Sequence, residues 1–566
     1  MAQTLLVALS LGGALALAFQ ITTWPDHPLA DMTHVTHWVR NIGSGGVLAA
    51  YAGTYPETYM IYPPAMAYVY AAAHTLAATI PPPLGVRPDD WLRVCIKLMP
   101  VAGHGLLALA LFAGVTMAGG FWRGWTALTL YAWNPGALFD AAYWGQGDSL
   151  NVALLALALA IVFAVPAWWP LIAATRPRVW PQLGALLAGV TAGALIGTAG
   201  LTKPQTWVFL PLVVWLLLRR LGPHGLLAAG GAGAATAWRI VEPWRTAGRM
   251  DELLSVFTNV TQVMPSVSAN AHNLWWLKLP GVALSVFDTV PVGGFGDWVA
   301  PPLVSHATLG RLGFALVALL PLLRLTGPLS YRLVAACAAY TSAAYFMTIT
   351  QVHENHMFAA LPFLAAAAAL DGWFVAPFLI ATACVFLNMA LHDFLIGDAL
   401  AAWLAERLPW KDALAIQTAN ARLNVAGFAL FTLVLLRRPP VGAQSPRLLL
   451  WRARLALAAG AVVAGGALTV AYALVTVPER AAAVWERLAE RAAQSGPVEA
   501  HLGRKTPVGV LLERAALEYA NALYLFAGLA VVVGAVAALA GVWWLAVART
   551  ARSSRARHLR TVEAAA

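Results

Sequence analysis

The feature that most limits what this chain can become is a repeated one. Apolar stretches, long enough to cross a bilayer at roughly 20 residues each, alternate with short polar segments. They fall near 3–21, 94–118, 124–142, 149–167, 181–201, 204–218, 224–240, 306–325, 331–350, 356–371, 373–391, 421–436, 454–476 and 520–547, about fourteen in all. In lipid every backbone N–H and C=O must be satisfied within the segment, which leaves helices for runs of this length. The apolar set makes up 60% of the chain and the charged set 11%, against roughly half and a quarter in soluble domains. A soluble globule is excluded, and the expected fold class is an all-α polytopic membrane protein. The run at 5–19 has no basic segment before it and reads as the first membrane helix rather than a cleaved signal.

Lys and Arg number 36 against 25 Asp and Glu, a net charge of +11. The surplus is scattered in ones and twos between apolar runs, so it marks topology rather than a nucleic-acid surface. With the first helix running outward, Arg123, Arg176 and Arg178, Arg219 and Arg220, Arg324 and Arg332, the cluster from Arg437 to Arg454 and the tail from Arg549 to Arg560 all fall inside. That arrangement holds only if the run at 63–80, bounded by Pro63-Pro64 and Pro81-Pro82-Pro83, lies on or dips into the outer face instead of crossing. The outer face then carries a large first loop, 22–93, and a large fourth loop, 241–305, each expected to contain juxtamembrane helices. It also carries the junction at Lys203, the turn 351–356, the segment 392–420 and a charged stretch 477–519. Inward loops are short and basic and contain no phosphate-binding G-x-x-x-x-G-K-[ST] loop. Cys95, Cys337 and Cys384 sit singly in apolar runs, which argues against a disulfide framework or thiol-bound metal.

The chemistry-bearing residues gather on that outer side. In the first loop, Asp31 precedes a short helical pattern; it can cap that helix or act as a partly desolvated base, and Asp26 competes for the second role. His34 and His37, three apart, share a helix face and can hold a metal or a phosphate, or bond to backbone. The second cluster, Tyr143-Trp-Gly-Gln146-Gly-Asp148-Ser149, offers an amide and a carboxylate at a helix end, with Asp140 one or two turns back; Asp148 or Ser149 can also cap. Lys203 is a lone outward lysine between apolar helices, a costly placement unless an anion such as phosphate meets it or its amine snorkels to the headgroups.

The turn Gln351-Val-His353-Glu354-Asn355-His356 lacks the spacing of a zinc protease and suits an anion clamp, with Glu354 orienting a histidine. In the fourth loop, Arg245 and Arg249, then Asn270, Asn273, Trp275 and Trp276, mix cations, amides and indoles. Such faces suit sugar rings, although tryptophan also favours membrane interfaces. Asn259-Val-Thr261 matches the glycosylation tripeptide.

An outward Asp-bearing first loop ending in Tyr62-Pro63-Pro64, an Asp148-bearing second loop, and Val352-His353-Glu354 before a late helix together resemble the GT-C superfamily of multi-spanning glycosyltransferases. The Tyr-Pro-Pro and Val-His-Glu pieces are most similar to the dolichyl-phosphate-glucose-dependent glucosyltransferases and their prokaryotic relatives. The resemblance implies a GT-C-like fold of about fourteen spans and transfer of one hexose, glucose or mannose, from a polyprenyl phosphate to an acceptor hydroxyl with inversion. It implies a lipid-linked sugar donor, a glycan, glycolipid or protein acceptor, and no nucleic-acid partner. The expected setting is a bacterial-type cytoplasmic membrane, with the site on the periplasmic or extracellular side.

By that match Asp31 takes the catalytic position, and Asp148 with Gln146 stands for the second acidic motif. Lys203, His353, His356 and Arg245 would meet the donor phosphate, while Glu354, Tyr62, Asn270, Asn273 and Trp275 orient groups or bind substrate. A divalent cation, Mg or Mn, would use Asp148 or His34 and His37. Asn355 stands where a lysine is usual in the eukaryotic glucosyltransferases. The implied division is a catalytic module over 1–350, a variable module completing the cleft over 351–436, and C-terminal helices over 437–566.

One inverting displacement needs one base, and the departing lipid phosphate needs cations or N–H groups more than an acid. A transporter or flippase is the alternative of another class, and a ligase joining lipid-linked glycans the nearer enzymatic rival. A transporter would place ionisable groups at mid-membrane and repeat its halves.

Overall fold

A computed structural model describes residues 2–437, apart from 25–30, 54–58, 84–85, 174–179, 264–265, 279–284, 286–288, 292–302, 394–395, 408, 410 and 411. The third expected module, 437–566, with its charged segment and basic tail, and the competing carboxylate Asp26 lie outside the described residues. The described chain is almost wholly helical and falls into two compact units. Residues 1–264, 330–342 and 354–413 form one; 265–329, 343–353 and the chain from 414 form the other.

The first unit opens with α1 (Ala2–Thr22), α2 (Asp31–Gly45), α3 (Pro64–Thr79), α4 (Pro88–Gly119), α5 (Phe121–Ala132) and α6 (Pro135–Leu138). It continues through α7 (Asp148–Ala173), α8 (Trp180–Thr202), α9 (Leu210–Ile240), α10 (Glu242–Thr246) and α11 (Met250–Val263). The second unit holds α12 (Leu274–Lys278) and α13 (His306–Arg324), after which α14 (Tyr331–Thr348) passes through both units. The first unit closes with α15 (Ala360–Leu370), α16 (Val375–His392) and α17 (Gly397–Arg407), and α18 (Ala413–Arg437) returns to the second. Four strands of two or three residues, β1 (Ser268–Ala269), β2 (Thr289–Pro291), β3 (Leu303–Ser305) and β4 (Val352–His353), pair as β1 with β4 and β2 with β3.

Polarity is arranged for lipid rather than water. Leu9 is 64% and Leu227 73% exposed, while Lys97 and Asp140 are fully buried. Among the described residues seven helices are long and apolar enough to cross a membrane: Ala2–Thr22, Asp90–Gly119, Gln182–Thr202, Pro204–Ile240, His306–Arg324, Gly372–His392 and Ala413–Leu436. Asp148–Ala164 and Ala360–Leu370 are shorter apolar helices. The chain is thus an α-helical polytopic membrane protein.

Both large loops contain the expected short helices, α2 and α3 in the first and α10 to α12 in the fourth. In α2, buried Met32, Val35, Trp38, Val39 and Ile42 recur at helical spacing and pack on α3, whose Met66, Ala67, Tyr70 and Ala73 are buried in return. Pro64 begins α3 at a position where its missing N–H costs nothing. At 16 residues, α3 is not among the helices long and apolar enough to cross.

Two expected spans differ in detail. The run 124–142 is interrupted after α5: Pro135 cannot donate, and Asn134 restarts the chain by accepting from the Ala137 N–H at 3.2 Å and donating to Thr382 Oγ1 at 2.8 Å. The segment then widens into a π-helical turn, Phe139–Trp144. The run 356–371 becomes helical only from Ala360, because 354–359 forms a series of turns.

The runs 204–218 and 224–240 are continuous through Pro204–Phe209 and α9, but Gly222 takes φ 71°, ψ −175° before Pro223. Gly189, Gly193 and Gly197 of α8 approach the backbone of Gly225, Ala229 and Gly233 in turn. Equal steps in the same order mean that the two segments run parallel, so the chain reverses at Gly222 and the 204–240 stretch makes two passes.

A Cβ on Gly193 would lie 2.0 Å from the Ala229 carbonyl oxygen, and backbone has little room to yield. Gly193→Ala is expected to separate α8 from α9 and to cost roughly 1–3 kcal/mol. Thermal unfolding in nanodiscs checks this; an unchanged midpoint would refute the close crossing.

Candidate functional site

The polar residues of the first unit meet where several helices end. Two devices bring them there. The π-helical turn turns Asp140 inward, and Gly145 in the left-handed region, φ 71°, closes the turn while the Gln146 N–H bonds back to the Asp140 carbonyl at 2.9 Å. A side chain at Gly145 would meet Met32 Cε at 2.5 Å and Lys97 Cγ at 2.8 Å, so this backbone turn requires glycine. The start of α7 is fixed by Ser149, whose hydroxyl donates to the Pro100 carbonyl at 2.6 Å.

Asp148 and Lys203 form an ion pair at 2.6 Å, with the two residues 4% and 2% exposed. The sequence argument that a lone lysine here needs an anion is met within the chain. The ammonium is buried, so headgroup snorkelling is corrected: its partner is the Asp148 carboxylate, 55 residues away in sequence. The same ammonium lies 5.4 Å from the centre of the Tyr62 ring. Tyr62 is braced by Trp38, edge-on at 5.8 Å, and its carbonyl accepts from Tyr51 Oη at 2.7 Å.

From Tyr62 the network reaches Asp31. The Tyr62 hydroxyl donates to Gln146 Oε1 at 3.0 Å, and Gln146 Nε2 donates to Asp31 Oδ2 at 3.0 Å. Asp31 stands in the first turn of α2, where a helix N-terminus favours negative charge, and it is solvent-exposed. The arrangement is an accessible carboxylate in front of a buried polar layer.

The turn 354–359 supplies further partners. Asn355 Nδ2 donates to Asp148 Oδ2 at 2.9 Å and to Asp140 Oδ1 at 3.3 Å, while Gln205 Nε2 and His356 Nε2 are 2.9 Å apart. Burial pushes the Glu354 carboxyl up to about 8; a bond with its own backbone opposes this and the charge of Asp31 adds to it. The shift favours the protonated carboxyl, which can donate a hydrogen bond.

Other expected site residues lie elsewhere. Arg245, on α10, is exposed with its guanidinium carbon 4.6 Å from the Trp238 ring. His34 keeps a buried Nδ1 that has no hydrogen-bond partner, and His37 is exposed. His353, Asn270, Asn273 and Trp275 belong to the second unit. There His353 pairs with Ala269 in the β1–β4 ladder, and Asn273 Oδ1 accepts from the N–H groups of Trp275 and Trp276 at 3.0 and 3.1 Å. Trp275 Nε1 donates to the Thr348 carbonyl at 2.8 Å.

Asp148 Oδ2 already accepts from Lys203 and Asn355, and no group of three metal-binding side chains occurs among the described residues.

Sequence reasoning passed over Asn355 as a hydrogen-bond donor, Gln205, Lys97 and Asp393. Lys97 is a lone lysine inside an apolar run, a signal that was available; its ammonium donates to the Tyr143 carbonyl. Asp393 accepts from Trp144 Nε1 at 3.0 Å and Tyr143 Oη at 3.3 Å, which no local pattern announces.

No family model matches the chain, and no curated protein matches it. Among solved structures it is similar to ArnT from Cupriavidus metallidurans bound to undecaprenyl phosphate, at 16% identity over 96% of this chain and 78% of that one, with a TM-score of 0.34. It is also similar to the Archaeoglobus fulgidus oligosaccharyltransferase AglB in complex with an inhibitory peptide and a dolichol-phosphate, at 14% identity over 78% of this chain, with a TM-score of 0.32. The chain spans 58% of the length of that oligosaccharyltransferase.

Removing one member of the buried pair strands the other charge at a cost of about 3–5 kcal/mol. Lys203→Met and Asp148→Asn are each expected to lower the unfolding midpoint, and the double variant to recover part of the loss; additive losses would mean that the pair does not form. Glu354 titrates in the opposite sense to a paired carboxylate. Its folded value, about 8, lies above the ordinary 4.5, so the unfolded chain gives up the proton first and stability falls as pH rises between those values. Glu354→Gln is expected to flatten that decline, measured as unfolding midpoint against pH.

Proposed function

We propose that the chain is an inverting glycosyltransferase of the GT-C type, moving one hexose from a polyprenyl phosphate to an acceptor hydroxyl at the external face of a bacterial-type cytoplasmic membrane. The observation that carries this is the linkage of the exposed Asp31, through Gln146 and Tyr62, to the buried Asp148–Lys203 pair. An accessible base backed by a rigid polar layer at the ends of apolar helices suits a substrate whose reactive end is polar and whose tail is lipid.

In the reaction the acceptor oxygen attacks the anomeric carbon from the face opposite the lipid phosphate. The carbon–oxygen bond to that phosphate breaks, its electron pair leaves on the phosphate, and Asp31 takes the acceptor proton. One displacement inverts the centre and needs no second carboxylate as nucleophile. Glu354 and His356, on the turn held by Asn355, would donate to sugar or phosphate oxygens. Lys203, already paired, contributes chiefly by holding Tyr62 and Asp148.

The apolar tail dissolves among the helices while its phosphate stays at the interface, which reduces donor capture to a search along a surface. Glucose or mannose is the proposed sugar, and a glycan, glycolipid or protein the acceptor. Catalysis is assigned within 1–350, completed by 351–436.

Asp31→Asn is expected to lower transfer from a radiolabelled polyprenyl-phosphate hexose by roughly 10²–10⁴-fold, with donor affinity and unfolding midpoint unchanged. Full turnover in that variant would remove Asp31 as the base. Uptake of a lipid-linked sugar into proteoliposomes, with no transfer, would replace the reading with transport.

A further inference from the structure

Asn355 is the point at which the turn 354–359 is fastened to the polar layer. Its one amide nitrogen faces Asp148 Oδ2 and Asp140 Oδ1, and two carboxylate acceptors settle which way the amide points. Asn355, Asp148 and Asp140 are all buried, and the second Asp140 oxygen has no hydrogen-bond partner. The layer already sets two carboxyl groups against one ammonium, so a neutral donor satisfies both acceptors where another carboxylate would repel them.

The neighbours of Asn355 in sequence are the two candidate donors, Glu354 and His356. Glu354 feels the charge of Asp31, and His356 lies against Gln205. The Asn355 carbonyl also accepts from the Phe358 N–H at 2.8 Å, tightening the same turn. Releasing the side chain would free the turn to shift, and a displacement of about 1 Å at a reacting centre can cost on the order of 10²-fold in rate.

We propose that Asn355 is a positioning residue of the transfer reaction. It fastens the 354–359 turn to Asp140 and Asp148 and thereby holds Glu354 and His356 in place for the transfer. This rests on the assignment of Asp31 as the base.

The test is a donor–acceptor exchange, with transfer from the radiolabelled polyprenyl-phosphate hexose as readout on the full-length protein in nanodiscs. Asn355→Asp replaces the donor by an acceptor of the same shape and is expected to lower kcat on the order of 10²-fold, with little change in KM for the donor lipid. Asn355→Asp combined with Asp140→Asn reverses the polarity of the bond to residue 140 at constant net charge, leaves a carboxylate against Asp148, and is expected to regain part of kcat. Asn355→Ala should show the same kcat-selective loss, and it replaces Asn355→Asp if that variant does not fold.

Unchanged kcat in the single variants, or an exchange that restores the unfolding midpoint but not turnover, overturns the proposal and leaves Asn355 a structural residue only. Asp31→Asn run alongside separates the two readings. Transfer abolished by Asp31→Asn but indifferent to Asn355→Asp sinks only the positioning role. A wild-type protein that transfers nothing, or an Asp31→Asn variant that transfers normally, removes the base assignment and the positioning role with it.

Discussion

The buried contact between Asp148 and Lys203 organises the first unit's site, because a charge taken out of water must be answered nearby and the chain answers each with the other. The lysine comes from the junction between α8 and α9, the aspartate from the head of α7, so the pair fastens two helix ends together. It also fixes what touches it. Tyr62 lies against the ammonium, Asn355 against the carboxylate, and each carries the constraint to a further segment. The mutual need of two ions in a low-dielectric layer thus becomes a positional constraint on the first loop and on the 354–359 turn.

That constraint divides labour among the acids. Asp148 is neutralised and immobile, Asp140 is enclosed behind it, and burial favours the protonated form of Glu354, while Asp31 alone of the four stands open to solvent. Carboxyl groups of similar intrinsic acidity acquire different chemical roles from burial and partners. The proposed displacement needs such an asymmetry: one charged, accessible acceptor for a proton, bordered by groups that donate.

Much of the first loop was legible from its letters. Asp31, Gln146, Asp148 and Lys203 stand out as polar groups at a lipid boundary and Tyr62 through the Tyr-Pro-Pro resemblance, and the structure brings these five into one network. Their partners were less legible. A lysine predicts an anion, but phosphate and Asp148 satisfy that demand equally well on paper. The Asn355 amide, in a turn chosen for its histidines and glutamate, carried no signal of its own, since an asparagine's usefulness depends on what lies within 3 Å of its nitrogen. Arg245 shows the converse: a cation in a promising loop that stacks on Trp238 instead.

The sequence by itself determined the membrane class and the spacing of the helices, because apolar length against bilayer thickness is a local quantity that each segment carries alone. It also determined the two loop regions with short helices, through prolines and amphipathic spacing. Only tertiary structure decided that Lys203 belongs to Asp148, that the 124–142 run breaks to turn Asp140 inward, and that Gly222 returns the chain so that its second half lies parallel to α8. The physical reason is that hydrogen bonds and ion pairs act over a few ångströms between residues tens to hundreds of positions apart. No one-dimensional pattern encodes which of several chemically equivalent partners the packing will bring within reach.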